Sequence, residues 1–305
     1  MSVPRPRRLG HVNLFVSDLE ASLAFYETVA GFEIVRREPE IGGGFLSNGA
    51  THHDIGLIQV AGGPLTGRGG HVQASSGRAN RPSLNHLAFE MASEADLVAR
   101  YRAIRRKQGV EIRTTADHII SRSVYLYDPD GNVVELYADM LDHWREVFTL
   151  DREDNVSGDW TPGATPPDPT ERYPRTTVLR RVDGAYLHPR RIDHAALAVA
   201  DIKRSVAFYR TAMGLEVVHE NEGAVCLAGS DSHDFDLVLV PAGQGAKPGF
   251  SHAAYLLADG EKAEPALRRL TEAGIPVLGL DRNNDGGYAL TISDPDGLLS
   301  RFVTA

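Results

Sequence analysis

The chain repeats its own sequence, and this repetition limits the folds open to it more than any other feature. Gly-His-Val-Asn-Leu-Phe-Val at residues 10–16 resembles Asp-His-Ala-Ala-Leu-Ala-Val at residues 193–199. The likeness continues from Ser-Leu-Ala-Phe-Tyr at 22–26 to Ser-Val-Ala-Phe-Tyr at 205–209. Because the separation of 183 residues stays constant, the sequence predicts two halves built on one plan.

A second pair of matching segments lies further along each half. Asn-His-Leu-Ala-Phe at 85–89 resembles Ser-His-Ala-Ala-Tyr at 251–255. Asp-Pro-Asp-Gly occurs at both 128–131 and 294–297. These pairs are separated by 166 residues, so the first half is expected to carry the longer insertion between its two parts.

Each half also repeats internally, as an apolar strand followed by a helix and further strands. In the first half the helices are expected over residues 19–30 and 94–108, and Gly31 and Gly109 stand where helix-ending glycines belong. We therefore predict an α+β fold of four βαβββ units, paired into two domains with cupped sheets. The units begin near residues 9, 84, 192 and 250.

Composition shifts predict the domain boundaries. Residues 1–150 and 191–305 are expected to form the two domains. Residues 151–190 are rich in proline and lack periodicity, which is typical of an interdomain linker. The Gly-, Ser- and Arg-rich stretch 61–83 is expected to be a mobile surface loop.

Composition also narrows the function classes. The 305-residue chain has a formal net charge of −9, which argues against nonspecific binding to nucleic acid or to an anionic membrane. Its single cysteine, Cys226, rules out an internal disulfide and a cysteine-cluster metal site. The chain has neither an apolar run of membrane-spanning length nor an apolar signal core at its start. We expect a soluble cytoplasmic protein.

Three polar side chains flank one turn in the first half. His118 and Tyr125 precede the turn sequence Asp-Pro-Asp-Gly-Asn, and Glu135 follows it. The turn separates two apolar runs that are predicted as neighbouring strands, so Tyr125 and Glu135 are expected to lie close together. The two runs are Ser123–Tyr127 and Val133–Tyr137.

Two histidines complete a candidate metal site. His11 and His86 occupy equivalent places on the first strands of their units, and Glu135 lies on the last strand of the second unit. Two imidazoles and one carboxylate form the 2-His-1-carboxylate triad, which leaves coordination positions open and suits non-haem Fe(II) oxygen chemistry. The sequence therefore predicts a divalent metal site in the first half.

These features resemble the vicinal oxygen chelate superfamily of glyoxalases, bleomycin resistance proteins and extradiol dioxygenases. The stretch from His118 to Glu135 is most similar to the type I extradiol ring-cleaving dioxygenases, although Ala116 departs from their usual pattern. The resemblance implies that His11, His86 and Glu135 hold Fe(II), with Mn(II) possible. It also implies an enzyme that uses O2 to open a catechol-type aromatic diol.

The resemblance assigns roles to three further residues. His53, the second of two adjacent histidines, matches the active-site acid/base. Tyr125 matches a tyrosine that hydrogen-bonds the metal-bound substrate hydroxyl, and His118 matches a pocket histidine. The His52–His53 pair is expected on the last strand of the first unit, where adjacent side chains face opposite sides. Only one of the two is therefore expected to face the cup.

The second half departs from this pattern. His194 and His252 match the two metal-binding histidines, but Arg301 stands where the glutamate is expected and Thr291 where the tyrosine is expected. An arginine cannot ligate a cation and would repel one. Residues 191–305 are therefore predicted to keep the fold without a catalytic metal.

Two other functions remain open within the superfamily. A metal-dependent glyoxalase-like isomerase or lyase usually takes a fourth ligand from the last strand of the first unit, where Gln59 is the only candidate. A non-catalytic small-molecule binding protein would need neither His53 nor Tyr125. A homo-oligomer is expected in each case, because paired units of this kind leave exposed sheet edges.

Overall fold

Two mixed β-sheets, one from each half of the sequence, form the framework of the protein. The computed structural model describes residues 3–66, 72–74, 80–149, 158–173, 177–282 and 287–304. The strands of the first half are β1 (Arg8–Val16), β2 (Glu33–Glu38), β3 (Gly43–Ser47), β4 (Ile55–Gln59), β5 (Leu65–Thr66), β6 (Val72–Ala74), β7 (Ser83–Glu90), β8 (Ile112–Asp117), β9 (Ser121–Tyr127), β10 (Val133–Asp139) and β11 (Gly158–Asp159).

The strands of the second half repeat this arrangement. They are β12 (Pro189–Val199), β13 (Glu216–Asn221), β14 (Ala224–Ala228), β15 (Leu237–Pro241), β16 (Gly249–Leu257), β17 (Val277–Arg282), β18 (Tyr288–Ser293) and β19 (Leu299–Val303). The helices are α1 (Leu19–Ala24), α2 (Glu94–Arg105), α3 (Trp144–Thr149), α4 (Ile202–Phe208) and α5 (Ala263–Glu272).

Apart from the additional edge strand β11 in the first sheet, the two sheets have the same order of strands when one of them is read from the opposite end. The first sheet runs β11-β8-β9-β10-β7-β1-β4-β3-β2, and the second runs β13-β14-β15-β12-β16-β19-β18-β17. At the centre of each, the first strands of two units pair antiparallel, as β1 with β7 and as β12 with β16. The predicted α+β fold with two cupped sheets is confirmed.

The predicted helices of the first half are also present. α1 continues into a π-helical turn over Phe25–Val29, so the helical stretch ends close to the predicted boundary. Gly31 follows with a φ of +81°, a conformation that disfavours other residues. A side chain there would also collide with the carbonyl oxygen of Leu187, which would lie 2.1 Å from the added Cβ.

Two buried hydrogen bonds join the halves reciprocally. The Tyr26 hydroxyl donates to Oδ2 of Asp294 at 3.2 Å, and the Tyr209 hydroxyl donates to Oδ2 of Asp128 at 2.9 Å. In each half the tyrosine follows the first helix and the aspartate opens the Asp-Pro-Asp-Gly turn. The repeated turn therefore binds the helix of the opposite half, which accounts for its presence in both.

Part of the expected linker packs on the first sheet. β11 pairs antiparallel with β8, and Trp160 beside it is only 8% exposed. Residues 151–157 and 174–176 lie outside the described residues, and the division into domains at 150 and 190 stays a prediction. In the expected loop 61–83, the described residues include the paired strands β5 and β6 and the first residue of β7, and residues 67–71 and 75–79 lie outside the described residues.

No helix in the described ranges combines the length and the hydropathy needed to cross a lipid bilayer.

The buried carboxyl group of Asp294 predicts a measurable pH dependence of stability. Burial raises the pKa of Asp294 from 3.8 to about 6, against hydrogen bonds from Leu298, Asp296 and Tyr26 that lower it. Because the folded state favours the protonated carboxyl, this stabilisation is present below the unfolded pKa of about 3.9 and is lost as pH rises through 6. Asp294→Asn should therefore flatten the fall of Tm between about pH 4 and pH 6 in thermal unfolding.

Tyr26→Phe is the matched control, because it removes the same hydrogen bond and keeps the titrating carboxyl. It should keep a fall of Tm with pH, displaced towards higher pH, because the Tyr26 hydrogen bond lowers the pKa of Asp294. An Asp294→Asn protein whose Tm follows pH as steeply as the wild type would contradict this assignment.

Candidate metal centre

Three strands of the first sheet bring His11, His86 and Glu135 together. His11 lies on β1, His86 on β7 and Glu135 on β10. Ala88 of β7 is the register partner of both His11 and Glu135, so these two side chains stand on either side of the same point. The repeat and the strand register together place the predicted ligands on one face of the sheet.

The three side chains converge on one another. Oε2 of Glu135 lies 2.9 Å from Nε2 of His86 and 3.2 Å from Nε2 of His11. The two Nε2 atoms are 3.4 Å apart. All three residues are buried, with exposures of 2–4%.

The electrostatics of this cluster suit a cation. Nδ1 of His86 lies 2.7 Å from Oδ1 of Asn85 and donates a hydrogen bond to it, so Nε2, which points towards Glu135, is the ring nitrogen available to a metal. Burial lowers the pKa of His11 to about 4, against the raising effect of Glu135. Burial raises the pKa of Glu135, but His11 and His86 outweigh this and hold it well below its usual range.

The result is an ionised carboxylate buried beside two imidazole rings whose Nε2 atoms converge on it. A carboxylate in this state needs a compensating positive charge. Nδ1 of His11 has no hydrogen-bond partner within the described part of the chain, so no second hydrogen bond there orients that ring. The donor set fits a divalent metal, and the assignment of these three residues as metal ligands stays a prediction.

The prediction for the adjacent histidines was wrong in one respect. His52 and His53 lie in the loop before β4 rather than on a strand, so the alternation of side chains does not apply. Both are buried and both line the same cleft. The loop is held by Asp54, whose Oδ2 accepts the Asn48 backbone N–H at 3.0 Å.

His53 lies directly beside a candidate ligand. Its ring centroid is 4.0 Å from that of His11, and its Nε2 lies 3.2 Å from Oδ1 of Asn13. Nδ1 of His53 has no hydrogen-bond partner among the residues described. Burial and the neighbouring histidines lower the pKa of His53 well below its usual value, so its ring is neutral.

His52 has a different environment. Its Nδ1 lies 2.8 Å from Oδ1 of Asp139, the last residue of β10. Burial lowers the pKa of His52, but the carboxylate of Asp139 outweighs this and raises it. The sequence reasoning missed Asn13, Asn85 and Asp139. Two of them could have been found from their positions in the sequence. Asn13 is two residues after His11 and Asp139 is four after Glu135, so each lies on the same face of its strand as a candidate ligand.

Tyr125 and His118 stand on the other side of the cluster. Tyr125 is the register partner of Glu135, as the turn sequence predicted. Nε2 of His118 lies 3.0 Å from the Tyr125 hydroxyl, at the edge of the cleft. Burial and the charge of Glu135 raise the pKa of Tyr125 well above its usual value, so the hydroxyl stays protonated and can donate.

The cleft around these residues has a volume of about 610 Å³, part of which is open to solvent. Its remaining wall combines an apolar surface with an ion pair, in which Nε of Arg36 donates to Glu38 at 2.7 Å. Sequence patterns did not single out this wall. It is formed by Arg36, Glu38, Phe45, Ile58, Ile120 and Ser121.

The second sheet keeps the two histidines and loses the carboxylate. The ring centroids of His194 and His252 are 5.5 Å apart, the same separation as those of His11 and His86. Arg301 occupies the register position of the glutamate, and its Nη2 donates to Asp281 at 2.7 Å. The expectation that this half binds no catalytic metal stays a prediction.

Comparison with known proteins places the chain in a family. The model of the Glyoxalase/Bleomycin resistance protein/Dioxygenase superfamily matches residues 8–136 and 191–302. The chain belongs to this superfamily. The two matched segments correspond to the two halves of the repeat, so the predicted superfamily is confirmed.

Superfamily members similar in sequence include dioxygenases. Over 132 residues the chain is 35% identical to biphenyl-2,3-diol 1,2-dioxygenase 3 of Rhodococcus globerulus, which covers 43% of the chain and 63% of that protein. The match thus spans less than two thirds of that relative's length. Over 305 aligned residues it is 26% identical to catechol-2,3-dioxygenase of Bacillus subtilis, which covers 90% of the chain and 92% of the relative.

Solved structures of the superfamily share the fold. The 2,3-dioxygenase LapB from Pseudomonas sp. KL28 has a TM-score of 0.66 at 17% identity, covering 100% of this chain and 94% of its own. The Mn(II)-bound glyoxalase from Novosphingobium aromaticivorans has a TM-score of 0.68 at 17% identity, covering 99% and 83%. At these identities the likeness shows that the chain shares its fold with a dioxygenase and with a glyoxalase, and it does not choose between their reactions.

The geometry predicts which substitution removes the metal. Glu135→Ala deletes the only anionic member of the donor set, so metal affinity should fall by more than the roughly 10- to 100-fold typical of losing an outer-shell partner. Elemental analysis after dialysis against metal-free buffer should find about one Fe or Mn per wild-type chain and a strongly depleted variant. Arg301→Ala, at the equivalent position of the second sheet, is the control and should keep the metal. Equal metal content in Glu135→Ala and wild type would exclude this site.

Proposed function

We propose that the protein is an extradiol dioxygenase that opens a catechol-type aromatic ring with O2. His11, His86 and Glu135 would hold Fe(II), with Mn(II) as a possible substitute. The observation that carries the proposal is the pair of proton-handling groups beside this triad. A buried histidine, His53, lies on one side of the donor set and the Tyr125 hydroxyl on the other.

The metal supplies two things when it is bound: adjacent open coordination positions and a lowered pKa for a coordinated hydroxyl. The reaction consumes one O2 for each diol, and both oxygen atoms enter the ring-opened product. No additional reductant is therefore required.

His53 is suited to take a proton from the diol. Its Nε2 donates to Oδ1 of Asn13, which leaves the basic lone pair on Nδ1. Nδ1 is buried and has no hydrogen-bond partner in the described part of the protein. A neutral imidazole with a free basic nitrogen can accept the proton of a substrate hydroxyl and return it later in the reaction.

Tyr125 and His118 are suited to orient the substrate. The protonated hydroxyl of Tyr125 can donate to a substrate oxygen, and His118 restricts its direction through the 3.0 Å contact. Phe45 and Ile58 provide apolar surface in the same cleft. Phe45 also packs edge-on against His53, with ring centroids 5.0 Å apart, so it limits the movement of that ring.

The structure gives less support to an isomerase. Gln59, the candidate fourth ligand, is exposed at the end of β4, and its Oε1 accepts the Leu19 backbone N–H at 3.2 Å. It does not line the cleft formed by the described residues. The non-catalytic alternative gives no reason for a buried His53 beside the triad.

Incubation with catechols in air tests the proposal. The Fe(II)-loaded protein should form a yellow ring-opened product with at least one member of a panel of substituted catechols. His53→Asn should lower kcat by about 10²- to 10⁴-fold, the range of general acid–base catalysis, with metal content unchanged. His252→Asn, the same substitution in the second sheet, should leave kcat unchanged.

An iron-loaded protein that opens no catechol ring and converts an α-keto hemithioacetal would support the isomerase instead. Full activity in His53→Asn would contradict the proton-transfer role.

A further inference from the structure

The His52–Asp139 pair lies beside the proposed centre and has no role in the proposed proton transfer or in the proposed orientation of the substrate. The two residues are 2% and 6% exposed, and Nδ1 of His52 lies 2.8 Å from Oδ1 of Asp139. We propose that this pair is a positioning element, which fixes the loop that carries His53 relative to the strand that carries Glu135. The proposal rests on the proposed function and deepens it.

The position of the pair gives it this capacity. Asp139 follows Glu135 by four residues on β10, so both side chains leave the same face of the strand. His52 belongs to the loop before β4. In the sheet, β7 and β1 lie between β10 and β4. The hydrogen bond therefore joins two elements across the width of the cup.

The contacts of His52 extend this constraint to His53. The ring centroids of His52 and His53 are 4.7 Å apart, while Phe45 contacts the His53 ring at 5.0 Å. Asn13 holds Nε2 of His53 at 3.2 Å. His52 also contacts the ring of Tyr137 at 5.2 Å. His53 is thus confined by these three neighbours as well as by His11, and Asp139 fixes the neighbour that comes from the same loop.

The second half of the chain provides an internal comparison. The Val12 N–H donates to the Asp54 carbonyl, and the Ala195 N–H donates to the Asp236 carbonyl, which aligns Asp236 with Asp54. Counting back, Phe235 corresponds to His53 and Asp234 to His52. The ring centroids of Phe235 and His194 lie 4.8 Å apart, in the manner of His53 and His11.

The sequence of the second half has no counterpart of the His52–Asp139 pair, and it also lacks the glutamate of the triad. Oδ1 of Asp234 lies 3.0 Å from Nε2 of the exposed His219, and the repeat aligns Ala305 with Asp139. The half with Arg301 in place of the glutamate therefore has no histidine at the position of His53 and no histidine–aspartate pair at the positions of His52 and Asp139. The second sheet folds without the pair, so the pair is not a requirement of the architecture.

Asp139→Asn tests the proposal in the Fe(II)-loaded full-length protein. The substitution removes the carboxylate and preserves its shape, so the loop gains freedom while the triad stays intact. We expect kcat to fall roughly 10- to 100-fold, as is typical of a small misplacement of a catalytic group, with KM and metal content unchanged. Glu261→Gln is the matched control, because it breaks another histidine–carboxylate bond, to His188 at 2.7 Å, away from the cleft. It should leave kcat unchanged.

Histidine nitrogen NMR of the Zn(II)-loaded protein gives a second readout that needs no activity. Asp139→Asn should shift the ring signals of both His52 and His53, whereas Glu261→Gln should shift only those of His188. Unchanged His53 signals together with an unchanged kcat would overturn the proposal. Loss of metal from Asp139→Asn would also overturn it, because the pair would then support the metal site itself.

The two proposals fail in distinguishable ways. If the wild type opens no catechol ring, the proposed function fails, while the NMR comparison still decides whether Asp139 positions His53.

Discussion

The burial of one carboxylate is the constraint on which the site depends. Glu135 is ionised and 2% exposed, and its immediate neighbours are imidazole nitrogens rather than a fixed positive charge. Removing a charge from water costs several kcal/mol unless an opposite charge compensates it. The central strands β1, β7 and β10 bring together donor atoms that could hold a divalent cation at this point. The surrounding groups, His53, Tyr125 and the His52–Asp139 pair, all take their positions relative to it.

The internal repeat separates the fold from the chemistry. Tyr26 with Asp294 and Tyr209 with Asp128 tie each half to the other, so both copies of the turn sequence contribute to the architecture. Only the first copy is followed by a glutamate in the register of the histidines. In the second, the guanidinium of Arg301 reverses the charge at that position. One half can thus keep its packing role while the other carries the site.

The sequence predicted that three side chains of the first half would lie together, and it misjudged part of their surroundings. His11, His86 and Glu135 could be predicted because strand alternation and the repeat fix the direction of side chains within strands. His52 and His53 could not be predicted in the same way, because they lie in a loop, where no period relates neighbouring side chains. Asp139 was missed because its partner lies 87 residues away in the chain, and no local pattern joins them.

By itself, the sequence determined the two-half architecture and the superfamily, and it predicted the half in which a metal site can form. Each follows from repetition and periodicity, which are properties of the linear chain. The tertiary structure decided that both adjacent histidines face the cleft, that Gln59 does not, and that Asn13 and Asp139 hold the two histidines. These depend on contacts between loops and distant strands, whose geometry is set only when the sheet closes into its cup.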